Sequence, residues 1–206
     1  MHEVRCARPT DAASLAGMLA RAFEADPVSG YLFPDAGARR AALQRFFRIQ
    51  LRRNYLARGE VWVEASLRGA ALWMPPRPDP PSAASELAMH LGLLGVFGSR
   101  IGTARRLARL LAERHPQVAH YYLGTLGTEP AHQRQGIASA LLAPVLARCD
   151  ADRLPAYLES SRAENVGFYE ARGFVVVDDV AVAGGPRLWL MWRRPAGGDG
   201  GSAGHR

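Results

Sequence analysis

Residues 126–142 read Leu126-Gly127-Thr128-Glu129-Pro130-Ala131-His132-Gln133-Arg134-Gln135-Gly136-Ile137-Ala138-Ser139-Ala140-Leu141-Leu142. The β-rich run from Ala119 to Gly127 enters this stretch as a strand. A turn follows, and then an apolar-periodic helix over Gly136–Cys149. The free N–H groups of a helix start, with the helix dipole behind them, form an anion site. Small residues at Gly136 and Ala138 let a phosphate approach the backbone. The pattern Gln133-x-x-Gly136-x-Ala138 therefore predicts a phosphate-bearing ligand, with an ordinary strand-to-helix turn as the alternative. A P-loop would need a lysine, and all 26 basic residues are arginine. A dinucleotide fold would place three glycines directly after its first strand, which this chain does not do.

Working outward, Glu3–Arg8 reads as a strand and Pro9-Thr10-Asp11 opens a helix with Thr10 as N-cap. Residues 26–31, Asp26 to Tyr31, read as a loop. A helix is expected over Ala38–Tyr55. Glu60–Ser66 and Ala70–Pro75 form a hairpin across Leu67-Arg68-Gly69. The proline-rich run Pro75–Pro81 breaks regular structure. Helices follow over Ser82–Gly98 and Ser99–Glu113. Beyond the central stretch come a strand at Pro155–Glu159, a helix at Glu164–Arg172 stopped by Gly173, and a closing strand pair at Phe174–Val182 and Arg187–Arg193. Pro144 lies inside the helical pattern and is expected to kink it. Interleaved helices and strands define an α/β or α+β class around a mixed sheet.

At 206 residues and 48% hydrophobic content the chain can bury one substantial core, so residues 1–195 are read as a single domain. The Gly/Ser-rich residues 196–206 are expected to be disordered. No apolar run is long enough to span a membrane, and the polar start is unlike a secretory leader. A cytoplasmic location is the expectation. The net charge of +7 suits an anionic ligand. The arginines of residues 39–53 and 100–109 read as solvated helix faces, and nucleic acid is not an expected partner. Cys6 and Cys149 are read as free, partly buried thiols, and the six histidines have no metal spacing, so no metal is expected.

The segment 126–142 resembles motif A of the GNAT acetyltransferases. Leu158-Glu159-Ser160-Ser161 followed by Asn165-Val166-Gly167-Phe168-Tyr169-Glu170-Ala171-Arg172-Gly173-Phe174 resembles their motif B, in the right order and separation. The resemblance implies a GNAT fold, with a mixed central sheet of about six to seven strands flanked by helices. It implies acetyl-CoA as donor and direct transfer of the acetyl group to an amine. By likeness, the coenzyme A pyrophosphate would lie on Gln133, Arg134, Gln135, Gly136, Ile137, Ala138 and Ser139. The strand end at Leu126, Gly127 and Thr128 would pair with the pantetheine arm and present an amide to the acetyl carbonyl. Asn165 would contact the pantetheine side, and Tyr169 would sit near the thioester sulfur.

From these roles Tyr169 is the candidate acid for the leaving thiolate, with packing on the sheet as the alternative. Glu159 is the candidate base, or else a partner of an arginine or of the next helix. His120, Tyr121 and Tyr122 could line the acceptor pocket, Tyr121 facing away from the other two. Asp26, Tyr31 and Trp73 are further acceptor candidates, Asp26 for a cationic amine and the rings for a flat or cationic group. Phe23–Pro27, Val61–Val63, Ala71–Pro75 and Gly185–Trp189 resemble landmarks of an antibiotic-acetylating subgroup. A small amine such as the aminonucleoside puromycin is the expected acceptor. A peptide acceptor and a non-catalytic acetyl-CoA sensor are the alternatives. Either a monomer or a homodimer is compatible with the sequence.

Overall fold

The computed structural model describes residues 2–76 and 80–197. Its elements are β1 (Val4–Cys6), α1 (Ala12–Ala22), α2 (Pro27–Leu32), α3 (Ala36–Gln50), a π-helical turn (Leu51–Tyr55), α4 (Leu56–Arg58), β2 (Glu60–Glu64), β3 (Gly69–Met74), α5 (Ala83–Phe97), α6 (Ile101–Arg114), β4 (Tyr121–Thr128), α7 (Ile137–Ala151), β5 (Ala156–Ser160), α8 (Val166–Glu170), β6 (Phe174–Ala181) and β7 (Arg187–Arg193). One seven-stranded mixed sheet runs β1-β2-β3-β4-β5-β7-β6. Among the described residues only β4 and β5 pair in parallel, across the α7 crossover.

The sheet is covered on both faces, and strand alternation assigns residues to each. Ala71, Trp73, Leu123, Ala156 and Leu158 face α7 and pack on Ile137, Leu141, Leu142 and Val145. Ala70 and Leu72 face α1 and α3, against Leu15, Leu19, Leu43 and Phe47. Tyr157, Leu188 and Leu190 continue that second face and meet Leu107 of α6. Each fully buried aliphatic side chain contributes about 1.5–3 kcal/mol. The stripes of α1 and α7 are thus what fix the two helix layers.

Four local expectations are corrected. Thr10 is not the N-cap: Asp11 accepts from the Arg8 backbone N–H at 2.8 Å and also holds the Arg5 guanidinium. Residues 27–32 are helix α2 rather than loop, because Asp26 caps Val28 and Ser29 and Pro27 takes the first helical position. The long helix leaves α geometry after Gln50, where the π-helical turn begins. Cys6 is exposed and Cys149 is buried, so the thiols do not share one environment. Helix α7 continues through Pro144. Residues 77–79 of the proline run and 198–206 of the tail lie outside the described residues.

Candidate active site

The parallel ladder between β4 and β5 is short. Tyr121 pairs with Ala156, Tyr122 with Tyr157 and Leu123 with Leu158, and there the pairing stops. Residues 124–128 of β4 and 159–160 of β5 run on without each other. The departure coincides with an irregularity. Leu72 pairs with Thr125 but Trp73 pairs with Leu123, which leaves Gly124 as an extra residue in β4. A bulge bends its strand and frees a peptide group from the ladder. Two strands that separate inside a sheet leave backbone hydrogen-bonding capacity facing a cleft.

At the end of β4 the chain reaches the phosphate-loop candidate. Glu129 is tied to Arg21 of α1 at 2.7 Å. Gln133 and Gln135 brace the turn by donating to the Thr128 and Ala131 carbonyls. Arg134 and Gly136 both take left-handed backbone conformations, φ 61° and 87°. Residues 133–136 are exposed, and no side chain caps α7. A fifteen-residue helix thus offers its first-turn N–H groups openly to an anion. Arg172 adds a cation at this spot. It donates to the Ser139 hydroxyl and the Phe168 carbonyl, lies 3.6 Å from the Phe168 ring centroid, and has no carboxylate partner among the described residues. This arrangement fits the phosphates and extended arm of coenzyme A, and sequence reading did not single out Arg172.

Tyr169 lies on α8 against Phe168 and Phe174, with its ring in the α7-side core. Its hydroxyl has no hydrogen-bond partner among the described residues, yet it is not sealed from solvent. Burial pushes the phenol well above its ordinary range, opposed by Arg172. The group therefore stays protonated at neutral pH and can donate. Asn165 is exposed just ahead of α8.

Glu159 projects from β5 on the opposite face, its side chain only 8% exposed. Around it stand Tyr55, Tyr122, Tyr157, His115 and His120. The Tyr122 and Tyr157 rings stack at 6.0 Å, and His115 meets both edge-on. Burial first, and then the Glu159 carboxylate, push the Tyr122, Tyr157 and Tyr55 phenols up. The Tyr157 hydroxyl is buried without a hydrogen bond to any of the described residues. His115, Tyr55 and Tyr157 were not anticipated. Their contribution depends on chain crossings that no local pattern reveals.

The remaining expected acceptor residues are dispersed. Trp73 is wholly buried under α7 with its indole N–H unpaired, so it lines no surface. The correction follows from alternation, which turns residue 73 away from the Tyr122 face. Both carboxylate oxygens of Asp26 are engaged, Oδ1 by the Val28 and Ser29 amides and Oδ2 by the Ser161 hydroxyl. Asp26 thus joins α2 to the end of β5. Tyr31 belongs to a separate groove of about 360 Å³ between α6 and the β6–β7 turn, with Arg106, Leu110 and Val182. Tyr122 alone of this set lies beside Glu159.

Residues 104–193 match the family described as acetyltransferase (GNAT) domain. Over the whole chain, a Corynebacterium glutamicum structure described as histone acetyltransferase HPA2 and related acetyltransferase is similar at 28% identity. The match covers 95% of this chain and 98% of that one, with a TM-score of 0.71. An N-acetyltransferase from Staphylococcus aureus shares the fold at 17% identity and TM-score 0.55, covering 92% and 99%. The Escherichia coli ribosomal-protein alanine N-acetyltransferase does so at 15% and 0.53, covering 97% and 98%. The family match and the structural neighbours together support the GNAT superfamily, and the seven-stranded mixed sheet matches the fold of those neighbours.

Proposed function

We propose that this chain is an acetyl-CoA-dependent N-acetyltransferase whose acceptor is a small-molecule amine. The observation that carries the reading is the parting of β4 and β5 after Leu123 and Leu158, with an open helix N-terminus at one end and a buried carboxylate at the other. The donor would supply an activated acetyl thioester. The turn at 133–139 and Arg172 would hold its phosphates, residues 126–128 its arm, and Asn165 the arm's other side. A backbone amide of Leu126–Thr128, beyond the point where β4 and β5 part, would face the acetyl oxygen as negative charge develops there. Glu159 would take the amine proton and Tyr169 would protonate the departing sulfur.

A small acceptor is favoured by the segment between β3 and β4. Its helices α5 and α6 lie on the Glu159 face of the sheet, and His115 beyond α6 packs over Tyr122 and Tyr157. Leu107 of α6 and the His115 ring would narrow the acceptor end. The resemblance of Phe23–Pro27, Val61–Val63, Ala71–Pro75 and Gly185–Trp189 to an antibiotic-acetylating subgroup puts an aminonucleoside such as puromycin first among the amines to try. The test is thiol release from acetyl-CoA against puromycin, other amine antibiotics, polyamines and short peptides. Turnover with one of the small amines is expected. Turnover confined to peptides would overturn the acceptor class, and tight binding with no transfer would favour a sensor.

A further inference from the structure

Three groups form a line leading away from the candidate site. His120 is buried, and its Nδ1 lies 2.7 Å from the Val118 carbonyl. A carbonyl can only accept, so this nitrogen carries the proton and Nε2 of the neutral ring is bare. The bare Nε2 lies 3.1 Å from Nε2 of His115. That contact is a hydrogen bond only if His115 is the donor. In its neutral form His115 therefore keeps Nδ1 unprotonated, and this nitrogen faces the Glu159 carboxylate at 3.8 Å. Such contacts are often long before substrates bind.

We propose that His115 is the proton outlet of this site, drawing at Nδ1 on the carboxyl of Glu159, and that His120 is a positioning residue that keeps that nitrogen bare. The inference rests on the reading of Glu159 as the base for amine transfer. In the step, the attacking nitrogen loses its proton to a Glu159 oxygen as the N–C bond forms and the C–S bond of the thioester breaks, the sulfur leaving with the bond pair and the Tyr169 proton, which solvent later restores. The O–H proton of Glu159 passes to Nδ1 of His115, which becomes an imidazolium and restores the carboxylate. His115 then gives a proton to water, its side chain being 32% exposed. His120 is the poorer home for the charge, because burial lowers that ring's affinity for a second proton and His115 adds to the effect, against the Val118 carbonyl and the Glu159 carboxylate. The other groups facing the pair are the rings of Tyr122, Tyr157 and Trp192 and the Glu159 carboxylate.

The first test needs no acceptor. Nitrogen-15 correlation spectra of the whole protein, at a pH where the rings are neutral, are expected to show His115 protonated on Nε2 and His120 on Nδ1. A His115 proton on Nδ1 would overturn the proposal. The second test is thiol release by His115→Asn with acetyl-CoA and an accepted amine. kcat is expected to fall about 10- to 100-fold, with acetyl-CoA affinity unchanged and with partial rescue by added imidazole. Full kcat in a folded His115→Asn protein would overturn it. Wild-type protein that binds no acetyl-CoA would instead overturn the proposed function, whatever the spectra show.

Discussion

The hydroxyl of Tyr55 stands where a side chain on Gly124 would be. A Cβ at residue 124 would fall 1.9 Å from the phenolic oxygen and 3.3 Å from the Tyr122 ring. Tyr55 is itself buried, so it has little room to retreat. Gly124→Ala is expected to cost about 1–3 kcal/mol of stability. In a chain of this size that is a fall of roughly 2–10 °C in Tm. Adding Tyr55→Phe should recover part of the loss, because the nearest atom would then be the ring carbon at 3.0 Å. Thermal denaturation of the single and double variants checks both statements.

Gly136 holds a left-handed conformation in front of α7. Gly136→Ala is expected to cost roughly 1 kcal/mol of backbone strain. A Cβ there would also stand beside the N–H groups assigned to phosphate. Calorimetry should show acetyl-CoA affinity reduced about tenfold or more, a larger effect than the strain alone accounts for.

Tyr169→Phe removes a hydroxyl with no partner among the described residues, so Tm should change by little. kcat should fall about 10²- to 10⁴-fold if the phenol protonates the leaving sulfur. The fall should be smallest with acyl donors whose thiols are most acidic. Thiol release with a series of such donors reads the difference, and an unchanged kcat in the folded variant would remove Tyr169 from the chemistry.

Glu64 closes the β2–β3 turn, accepting from the Ser66 and Arg68 amides and pairing with the Arg68 guanidinium at 2.5 Å. The Arg68 side chain first, then these amides, hold its carboxyl at about 2, against an opposing burial effect. A carboxyl lower in the folded than the unfolded chain stabilises above the unfolded value, and the benefit disappears as pH falls through the folded one. Stability should therefore drop between about pH 4.5 and pH 2. Arg68 is partly exposed, which limits the contribution to about 1–2 kcal/mol. In Glu64→Gln that part of the acid-unfolding curve should flatten.

Asp26→Ala should lower Tm through loss of the α2 cap, about 1 kcal/mol, and of the Ser161 tie. Acetyl-CoA affinity should be retained. Scanning calorimetry and a binding isotherm together check this pair of outcomes.

The elements that carry the cofactor reading were legible because they are local. Gln133-x-x-Gly136-x-Ala138 lies in one strand–turn–helix unit, where propensity, turn chemistry and periodicity agree. Helix α2 was also legible in principle, since Asp26-Pro27 is a cap followed by a first-turn proline. The clustering of Pro27, Ser29 and Gly30 favoured a loop instead. A glycine at 124 within a β pattern was a sign of a bulge. Trp73 was misplaced because its face of the strand depends on register across the hairpin. His115 and Tyr55 reach Glu159 through tertiary packing, and no spacing in the chain records that.

Among the described residues, the three pairs joining β4 to β5 are also the only ladder between the two halves of the sheet. Mechanically, the molecule is two panels on a narrow seam, with α7 as the strap across the back. A ligand lying between the parted strands would touch both panels and act as a rivet. Its binding energy would appear as cohesion of the whole fold, growing as RT ln(1 + [L]/Kd). The gain in Tm on adding ligand would then measure how much of the protein's unity is borrowed from what it holds.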